Sequence, residues 1–464
     1  MSSKPGRLLL RNIYHLVVGD AADTRLRGVD LLIEGPRIVD VGHNLPRGEA
    51  EPIDCSTKLV LPGLVNTHHH MHQSLQRAVP AVQNAGLFAW LSGLYPIWQH
   101  LTAEVVRVGT QLACAELLQT GCTTTSDHHY LFPPALDADL VAVQLDAARE
   151  LGMRFCASRG SMSVGQSAGG LPPDAVVEDE DAILRSCEQA AAFHDPAPFA
   201  MRRIALAPCA PFSVSPTLLT RSAELARRHG LRLHTHLAET VDEERYCRER
   251  FGCRPVALME RCGWLGEDVW FAHAVHLDDA ELALLARTRT GVAHCPSSNM
   301  RLGSGICRVP ELLARGVRVG LGVDGSASND SSDMVGELRN CLLLHRVCGG
   351  AGAMTVPQVL ALATRGGASL LGWETIGVLA AGWAADLAVF EMDRLDYAGA
   401  LSDPLAALLL CGISHQAHTT IVNGQVVLRA GQLTTLDERE LRQRAQRLAR
   451  QMLERAGHDT RWML

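Results

Sequence analysis

Three short segments, far apart in the chain, carry histidines and carboxylates that suit one shared site. They are residues 61–70 (LPGLVNTHHH), 234–239 (HTHLAE) and 323–325 (VDG). A barrel of eight parallel strands with helices outside takes its functional side chains from the ends of several strands. Three imidazoles and one carboxylate suit Zn²⁺ or Fe²⁺ and can leave room for a reactive water. The chain is therefore expected to bring the three segments to one end of such a barrel.

The length and the pattern of apolar runs predict a barrel with a smaller second domain. The chain has 464 residues, more than a typical single domain. Short β-rich runs punctuated by glycine fill residues 8–60 and return at 385–390 and 420–427. We predict an α/β fold: a distorted (β/α)8 TIM barrel with a small β-sandwich built from the N- and C-terminal segments. The predicted boundaries are 1–62 plus 378–435 for the sandwich, 63–377 for the barrel and 436–464 for a C-terminal helix and tail.

The middle of the chain alternates short apolar runs with helical stretches, as a barrel requires. Most of the runs end in a polar or titratable residue, and residues 160–180 are predicted to form a long active-site loop. The predicted strands are 123–127, 153–157, 204–207, 232–236, 269–273, 291–294 and 319–324.

Two histidine pairs are candidate metal ligands. His68 and His70 are two residues apart, so a strand would place both on one face and His69 on the other. A run of three histidines is also compatible with a solvated loop. His234 and His236 repeat the alternation, and one or both are expected to point inward.

Three further side chains are candidates for proton transfer. Glu239 lies three residues past His236 and can carry a proton near the metal, although an ordinary surface glutamate at a helix start is the alternative. Asp324 closes an apolar run and can bind the metal and accept a proton, or can cap a helix. His273 or His276 can polarise a water or hold a substrate oxygen, or be a core histidine.

Composition excludes several classes of protein. The net charge of −7 favours neither a nucleic-acid nor a membrane partner. The first apolar run is broken at Arg11 and Asn12, too soon for a signal peptide, and the 14 scattered cysteines are typical of reduced thiols, so a cytoplasmic location is expected. The only lysines are Lys4 and Lys58, so no later strand can supply the carboxylated lysine of a two-metal site.

With these motifs the chain resembles the amidohydrolase superfamily, specifically its mononuclear deaminases, grouped with guanine deaminases and triazine hydrolases. The similarity rests on residues 62–70, 236–239, 272–273 and 322–324, and covers essentially the whole chain. It implies one divalent metal per subunit, Zn²⁺ in preference to Fe²⁺. The roles it implies are metal binding by His68, His70, His236 and Asp324, proton transfer by Glu239, and activation of water by His273 with Asp324.

Within the superfamily, residues 69–75 and 91–98 most resemble 8-oxoguanine and isocytosine deaminases. Gln73 stands where guanine deaminases place a glutamine that reads the base. Residues 211–215 (PFSVS) lack the arginine that precedes this phenylalanine in guanine deaminases, which argues against plain guanine. Further candidates for shaping the pocket, each with packing as the alternative, are Trp90, His129, Tyr130 and Cys209.

The expected reaction is hydrolytic removal of an exocyclic amine from a 2-amino-4-oxo N-heterocycle, with release of ammonia. Hydrolysis of an s-triazine of the hydroxyatrazine type is the main alternative, followed by a two-metal amide hydrolase and a non-catalytic barrel metalloprotein. A cytidine-deaminase fold is excluded because residues 208–211 (PCAP) lack the second cysteine of its zinc segment. The expected partners are a small heterocyclic substrate and further copies of the chain in a homo-oligomer.

Overall fold

The computed structural model describes residues 6–463. Residues 1–5, which include Lys4, and residue 464 lie outside the described residues, as do the outer ends of the predicted segments 1–62 and 436–464. The strands are β1 (Arg7–Ile13), β2 (His15–Val17), β3 (Arg25–Leu26), β4 (Val29–Glu34), β5 (Arg37–Gly42), β6 (Glu51–Asp54), β7 (Lys58–Pro62), β8 (Leu64–Asn66), β9 (Cys122–Asp127), β10 (Arg154–Ser161), β11 (Arg202–Pro208), β12 (Arg232–Leu237), β13 (Val269–His273), β14 (Gly291–His294), β15 (Val319–Leu321), β16 (Leu387–Glu391), β17 (Thr419–Val422), β18 (Gln425–Arg429) and β19 (Gln432–Leu433). The helices are α1 (Leu87–Trp98), α2 (Ala103–Gln119), α3 (Leu140–Leu151), α4 (Glu180–Ala191), α5 (Pro216–Arg228), α6 (Val241–Phe251), α7 (Pro255–Arg261), α8 (Asp279–Thr288), α9 (Pro296–Leu302), α10 (Val309–Ala314), α11 (Met334–Gly349), α12 (Val356–Ala361), α13 (Gly367–Leu371), α14 (Pro404–Leu410) and α15 (Glu438–Arg455), with short 3₁₀ turns at Met71–Leu75, Pro80–Val82, Gln166–Ala168, Asp174–Val176 and Leu395–Tyr397 and a π turn at Leu362–Gly366.

Eight parallel strands, β8 to β15, form a closed barrel, which confirms the predicted TIM-barrel fold. Helices connect successive strands and cover the barrel, the arrangement that parallel strands require. The barrel closes between its last and first strands, where Leu321 pairs with Asn66. The Asn66 side chain also accepts the amide proton of Val323 at 2.9 Å and donates to Thr125 at 2.9 Å, so it ties three strands together.

Two antiparallel-rich sheets outside the barrel form the β-sandwich, with strands from both ends of the chain. One sheet has the order β5-β4-β1-β6, and the other has the order β19-β18-β17-β16-β7-β2-β3. The N-terminal strand β7 pairs with the C-terminal strand β16, and the apolar side chains of Leu10, Leu31 and Val389 are fully buried in a core of their own. The turn at Asn423 and Gly424 joins β17 to β18 with positive φ at both residues, as a tight hairpin demands.

Two predicted strands end earlier than expected. Strand β8 stops at Asn66, so His68 and His70 lie on the segment that follows it, and strand β15 stops at Leu321, before Asp324. Asp324 itself has φ +64°, in the left-handed region of the backbone and outside any strand. The prediction that His68 and His70 alternate on a strand is therefore wrong, although both follow the carboxyl end of one.

The loop predicted to cover the active site does not do so. Strand β10 extends to Ser161, and the segment after it contacts helix α6, with the hydroxyl of Tyr246 donating to the carbonyl of Gly169 at 3.1 Å. None of the described residues that line the cavity discussed below comes from 162–180. The predicted C-terminal helix is α15, and the side chains that it buries are Leu441, Ala445, Leu448 and Met452. No helix within residues 6–463 is long and apolar enough to cross a membrane.

Candidate active site

A cavity with about 370 Å³ of empty volume lies at the carboxyl ends of the barrel strands. We call its polar part the imidazole wall and its hydrophobic part the apolar wall. The imidazole wall consists of His70, His236, His273, Glu239 and Asp324, and the apolar wall consists of Leu87, Trp90, Leu91, Phe212 and Leu302. The remaining lining residues are Gln73, Tyr130, Cys209 and Ser328. No arginine or lysine lines the cavity, within the part of the chain that the structure describes.

The Nε2 atoms of His70 and His236 face each other but cannot form a hydrogen bond to one another. The Nδ1–H of His70 donates to the carbonyl of His128 at 2.7 Å, and that of His236 donates to the carbonyl of Cys209 at 2.6 Å. Burial lowers the pKa of both rings, so each is neutral and carries a single N–H. Both Nε2 atoms are then lone-pair acceptors, yet they lie 2.9 Å apart. A cation between them resolves this contact, because it accepts both lone pairs.

His68 presents a third lone pair in the same place. The Nδ1–H of His234 donates to the carbonyl of Trp270 at 2.9 Å, so the Nε2 of His234 is an acceptor. The Nδ1 of His68 lies 2.7 Å from that Nε2 and donates to it. The Nε2 of His68 is buried, has no hydrogen-bond partner within residues 6–463 and holds a free lone pair. His234 therefore orients His68 and does not face the site itself.

Asp324 completes the donor set. Its Oδ1 lies 3.3 Å from the Nε2 atoms of both His68 and His70. Its positive φ turns the side chain back over the barrel mouth, where the amide of Gly325 donates to Oδ1 at 2.7 Å and the hydroxyl of Ser328 donates to Oδ2 at 3.3 Å. Three imidazole lone pairs and one carboxylate oxygen are a donor set that suits a divalent metal such as zinc. The residues present thus fit the metal that the sequence predicts.

Glu239 and His273 lie beside this donor set. The Nε2 of His273 is 3.5 Å from Glu239 and 3.9 Å from the Oδ2 of Asp324. Burial raises the pKa of Glu239 above that of an ordinary glutamate, so the carboxyl keeps its proton to higher pH. Burial opposes protonation of His273, but the nearby carboxylates of Glu239 and Asp324 outweigh it and raise its pKa. The three groups can therefore exchange protons over short distances.

Other side chains hold these proton carriers in position. The carboxylate of Glu243 accepts the amide protons of Ala238 at 2.8 Å and Glu239 at 2.9 Å, which fixes a turn where Ala238 has φ +52°. The Nδ1–H of His273 donates to the side-chain oxygen of Asn299 at 2.9 Å, and Ser304 donates to Glu239 at 3.3 Å. Helix α6 begins just after Glu239, but this glutamate is only 3% exposed, so it is no surface residue.

The four predicted substrate-binding residues, Gln73, Trp90, Tyr130 and Cys209, all line the cavity. The amide nitrogen of Gln73 donates to the hydroxyl of Tyr130 at 3.3 Å, while its carbonyl oxygen is buried without a partner. The indole of Trp90 donates to a backbone carbonyl at 3.3 Å. Burial raises the pKa of the Cys209 thiol to about 12, so it is neutral. His129, also considered for this role, does not line the cavity; its ring packs against that of Phe132.

Sequence reasoning missed several residues that support the site. Asn299, Ser304 and Glu243 belong to no spacing pattern, so nothing in the sequence marks them. His128 follows the strand β9 and stacks on His236 with ring centroids 4.6 Å apart, and its place directly after a predicted strand end was a usable signal. The residue Lys58 pairs with Glu391 in the sandwich at 2.8 Å, so it supplies nothing to the barrel.

Comparison with known proteins agrees with this geometry. The model of the amidohydrolase family matches residues 59–427. The chain belongs to the amidohydrolase family. It is accordingly a hydrolase that acts on carbon–nitrogen bonds. This amidohydrolase is 49% identical to 8-oxoguanine deaminase of Pseudomonas aeruginosa, over 88% of the chain and 91% of the relative.

Other relatives act on different compounds. The chain is 38% identical to hydroxydechloroatrazine ethylaminohydrolase of Pseudomonas sp. strain ADP, with 96% of the chain and 95% of the relative covered. It is 37% identical to an isoxanthopterin deaminase of an unknown prokaryotic organism, with 96% and 97% covered. Among solved structures, the atrazine chlorohydrolase of Arthrobacter aurescens TC1 complexed with zinc matches with a TM-score of 0.91 and 33% identity, over 95% of this chain and all of that one.

Proposed function

We propose that this amidohydrolase removes the exocyclic amine from a 2-amino-4-oxo N-heterocycle of the 8-oxoguanine or isocytosine type and releases ammonia. We assign metal binding to His68, His70, His236 and Asp324, and proton transfer to Glu239, His273 and Asp324. The observation that carries the proposal is the pairing of the buried Glu239 with His273, 3.5 Å away, beside three imidazole lone pairs. A metal site without catalysis would not need this pair.

We favour Zn²⁺ because two or three imidazoles with a carboxylate are common zinc ligands. Fe²⁺ is the alternative, since it has similar ligand preferences. When bound, the ion lowers the pKa of a water in its open position towards about 7 and so supplies a nucleophile at neutral pH. The relative complexed with zinc supports the same choice.

The chain's own residues account for every proton in the reaction. Asp324 accepts a proton from the attacking water, and Glu239 donates one to the ring nitrogen next to the amine-bearing carbon. The oxygen adds to that carbon, whose ring double bond shifts to nitrogen, and a tetrahedral intermediate forms. The hydroxyl proton of the intermediate returns to Glu239, while the proton on Asp324 passes to the amine, which leaves as ammonia. His273 lies between the two carboxyl groups and stabilises the developing charge.

The cavity suits a small, uncharged, flat ring. Its lining, within the described residues, offers no Lys or Arg for a phosphate or carboxylate. The unpartnered carbonyl of Gln73 and its amide group can pair with adjacent acceptor and donor positions of a heterocycle. Proline stands at position 211, where guanine deaminases have arginine, and its neighbour Phe212 lines the pocket. These features favour an oxidised or monocyclic base over guanine, and the similarity to 8-oxoguanine deaminase points the same way.

A second candidate function uses the same metal ligands and proton-transfer residues but has a different leaving group. The relative that is a hydroxydechloroatrazine ethylaminohydrolase supports hydrolysis of an alkylamine from an s-triazine. The apolar wall could accept the alkyl chain, because Leu87, Leu91 and Leu302 all contribute to it.

The test is product release from a panel of substrates by metal-replete protein. Ammonia is followed with isocytosine, 8-oxoguanine, guanine, cytosine and adenine, and ethylamine is followed with hydroxyatrazine. We expect rapid turnover of the first two compounds only. Ethylamine from hydroxyatrazine with no ammonia from the bases would transfer the function to triazines, and no product from any compound would refute both candidates.

A further inference from the structure

A second cluster of metal-binding side chains lies outside the active site. It consists of His294, the last residue of β14, and of Cys341 and His345 on helix α11. One ligand atom from each of the three residues lies within 4.8 Å of the others. All three are buried, with exposures of 0% for His294 and Cys341 and 2% for His345. None of them lines the catalytic cavity or takes part in the chemistry described above.

The three residues come from rigid elements. Cys341 and His345 are four residues apart, so they lie on one face of α11, one turn from each other. This is the spacing at which a helix offers two ligands to one zinc ion. His294 meets them from the end of a barrel strand. The elements that carry the three residues thus meet through the rings of His294 and His345, whose centroids lie 5.1 Å apart.

The distance between the two imidazoles suits a shared ion. The Nε2 atoms of His294 and His345 lie 3.2 Å apart. Two zinc-bound nitrogens at about 2.0–2.1 Å in a tetrahedral site lie roughly 3.3 Å from each other. A hydrogen bond between two neutral rings also gives such a distance, and in either case the Nδ1 of His294 is buried without a hydrogen-bond partner among the described residues.

The two imidazoles are in the form that binds a metal, whereas the thiol must first lose a proton. Burial lowers the pKa of His345 to about 4 and that of His294 well below its ordinary value, so both rings are neutral and have a lone pair to offer. Burial also raises the pKa of the Cys341 thiol, so in the empty site the thiol keeps its proton. Glu337, one turn before Cys341, accepts hydrogen bonds from Ser297 and Asn329 and is engaged there.

We propose that His294, Cys341 and His345 form a second metal site, which binds Zn²⁺ and joins helix α11 to the end of strand β14. Two imidazoles and one thiolate are borderline and soft ligands, which suit Zn²⁺ better than the hard ions Mg²⁺ and Ca²⁺. On binding, Cys341 releases its proton to solvent and its sulfur donates to the ion. One coordination position remains for water.

The site would brace a part of the barrel that matters for catalysis. Strand β14 leads directly into helix α9, whose Asn299 holds His273 by the 2.9 Å hydrogen bond. Occupancy would therefore stabilise the fold near the active site, because a ligand that binds only the folded state raises its stability. The ion itself takes no part in the reaction.

Cobalt provides a test that separates the two sites. Co²⁺ substitutes for Zn²⁺ and gives a near-ultraviolet charge-transfer band only when a thiolate is bound. Metal-free full-length protein is titrated with Co²⁺ while bound metal is counted and the band recorded. We expect two ions per chain and one such band, because the proposed catalytic ligands include no cysteine.

Variants assign the band to its cysteine. Cys341→Ser should lose the band and one of the two ions, while Cys307→Ser, which removes another buried thiol close to Cys341, should keep both. Cys209→Ser serves as a second control, because the Cys209 sulfur lies 4.0 Å from His236.

One ion and no band in the unaltered protein would overturn the proposal without any variant. A band that survives Cys341→Ser would overturn it as well, because the thiolate would then lie elsewhere. Neither result depends on which substrate the enzyme uses.

Discussion

His70 and His236 of the imidazole wall are held by hydrogen bonds to the backbone, whereas the leucines of the apolar wall are held by contact alone. His70 and His236 each donate to a main-chain carbonyl, and His68 is oriented through His234, which does the same. On the apolar wall, Leu87, Leu91 and Leu302 have no polar group to fix them. The imidazole wall is therefore tied to the barrel geometry, while the apolar wall can change with single side chains.

This difference explains how one scaffold serves several substrates. The relatives that match nearly the whole chain act on 8-oxoguanine, isoxanthopterin and an ethylamino-triazine, by their names. A fixed set of ligands and proton carriers is compatible with all of these leaving groups, since each reaction replaces a ring substituent with oxygen. Mutations should consequently cost most on the imidazole wall and least where the cavity reads the substrate.

The largest effect is expected for Glu239→Gln. Glutamine keeps the shape of the side chain but has no acidic proton to give, so turnover should fall by about 10²–10⁴-fold. Metal content should equal that of the unaltered protein. The measurement is steady-state ammonia release together with metal analysis. Glu244→Gln, five residues along and partly exposed on helix α6, is the matched control and should retain activity. Turnover within a few-fold of normal in Glu239→Gln would remove Glu239 from the mechanism.

A smaller effect is expected for Asn299→Ala, which removes the acceptor for the Nδ1–H of His273. Loss of such an orienting partner typically costs roughly 10–100-fold in activity. The loss should appear in kcat and leave KM nearly unchanged, because Asn299 does not line the cavity. Asn299→Asp keeps an oxygen acceptor and should recover much of the activity, while Asn340→Ala on α11 should have no effect. Equal losses in the alanine and aspartate variants would mean that Asn299 serves packing alone.

The smallest effect is expected for Gln73→Leu, which removes the amide but keeps much of the volume. Losing a substrate hydrogen bond of about 0.5–1.5 kcal/mol corresponds to roughly 2–12-fold. This should raise KM for the 2-amino-4-oxo compounds more than it lowers kcat. Initial rates over a range of concentrations give the two constants separately, with the exposed Gln83→Leu as control. An unchanged ratio of isocytosine to hydroxyatrazine turnover would show that Gln73 does not read the base.

Residue patterns were sufficient to predict the fold class and the segments that meet at the site. The paired histidines and the Asp-Gly after an apolar run are local signals, and strand ends in a barrel converge wherever they lie in sequence. The exact strand ends were not predictable, because they depend on contacts such as the Asn66 side chain with the amide of Val323. The prediction that His68 and His70 alternate on a strand failed because both residues lie after the end of β8.

The residues that position the proposed catalytic groups could not be predicted from the sequence for a related reason. Asn299 and Glu243 act through hydrogen bonds to single atoms, His273 Nδ1 in one case and two backbone amides in the other. Such contacts leave no period and no spacing in the sequence. Nothing in the sequence indicates the positive φ values of Ala238, His273 and Asp324, because none of these residues is a glycine.

The barrel closes where Asn66 meets Leu321, and just beyond this closure the amide of Asp324 donates to the carbonyl of His68 at 3.0 Å. Two of the proposed ligands, His68 and Asp324, thus lie just after the first and the last barrel strands. A ribosome releases the first strand long before the last, so a nascent chain holds only part of the coordination sphere until the barrel is complete. Tight metal binding at the proposed site is then a late step of folding. It requires that the first and the last strands of the barrel are both in place.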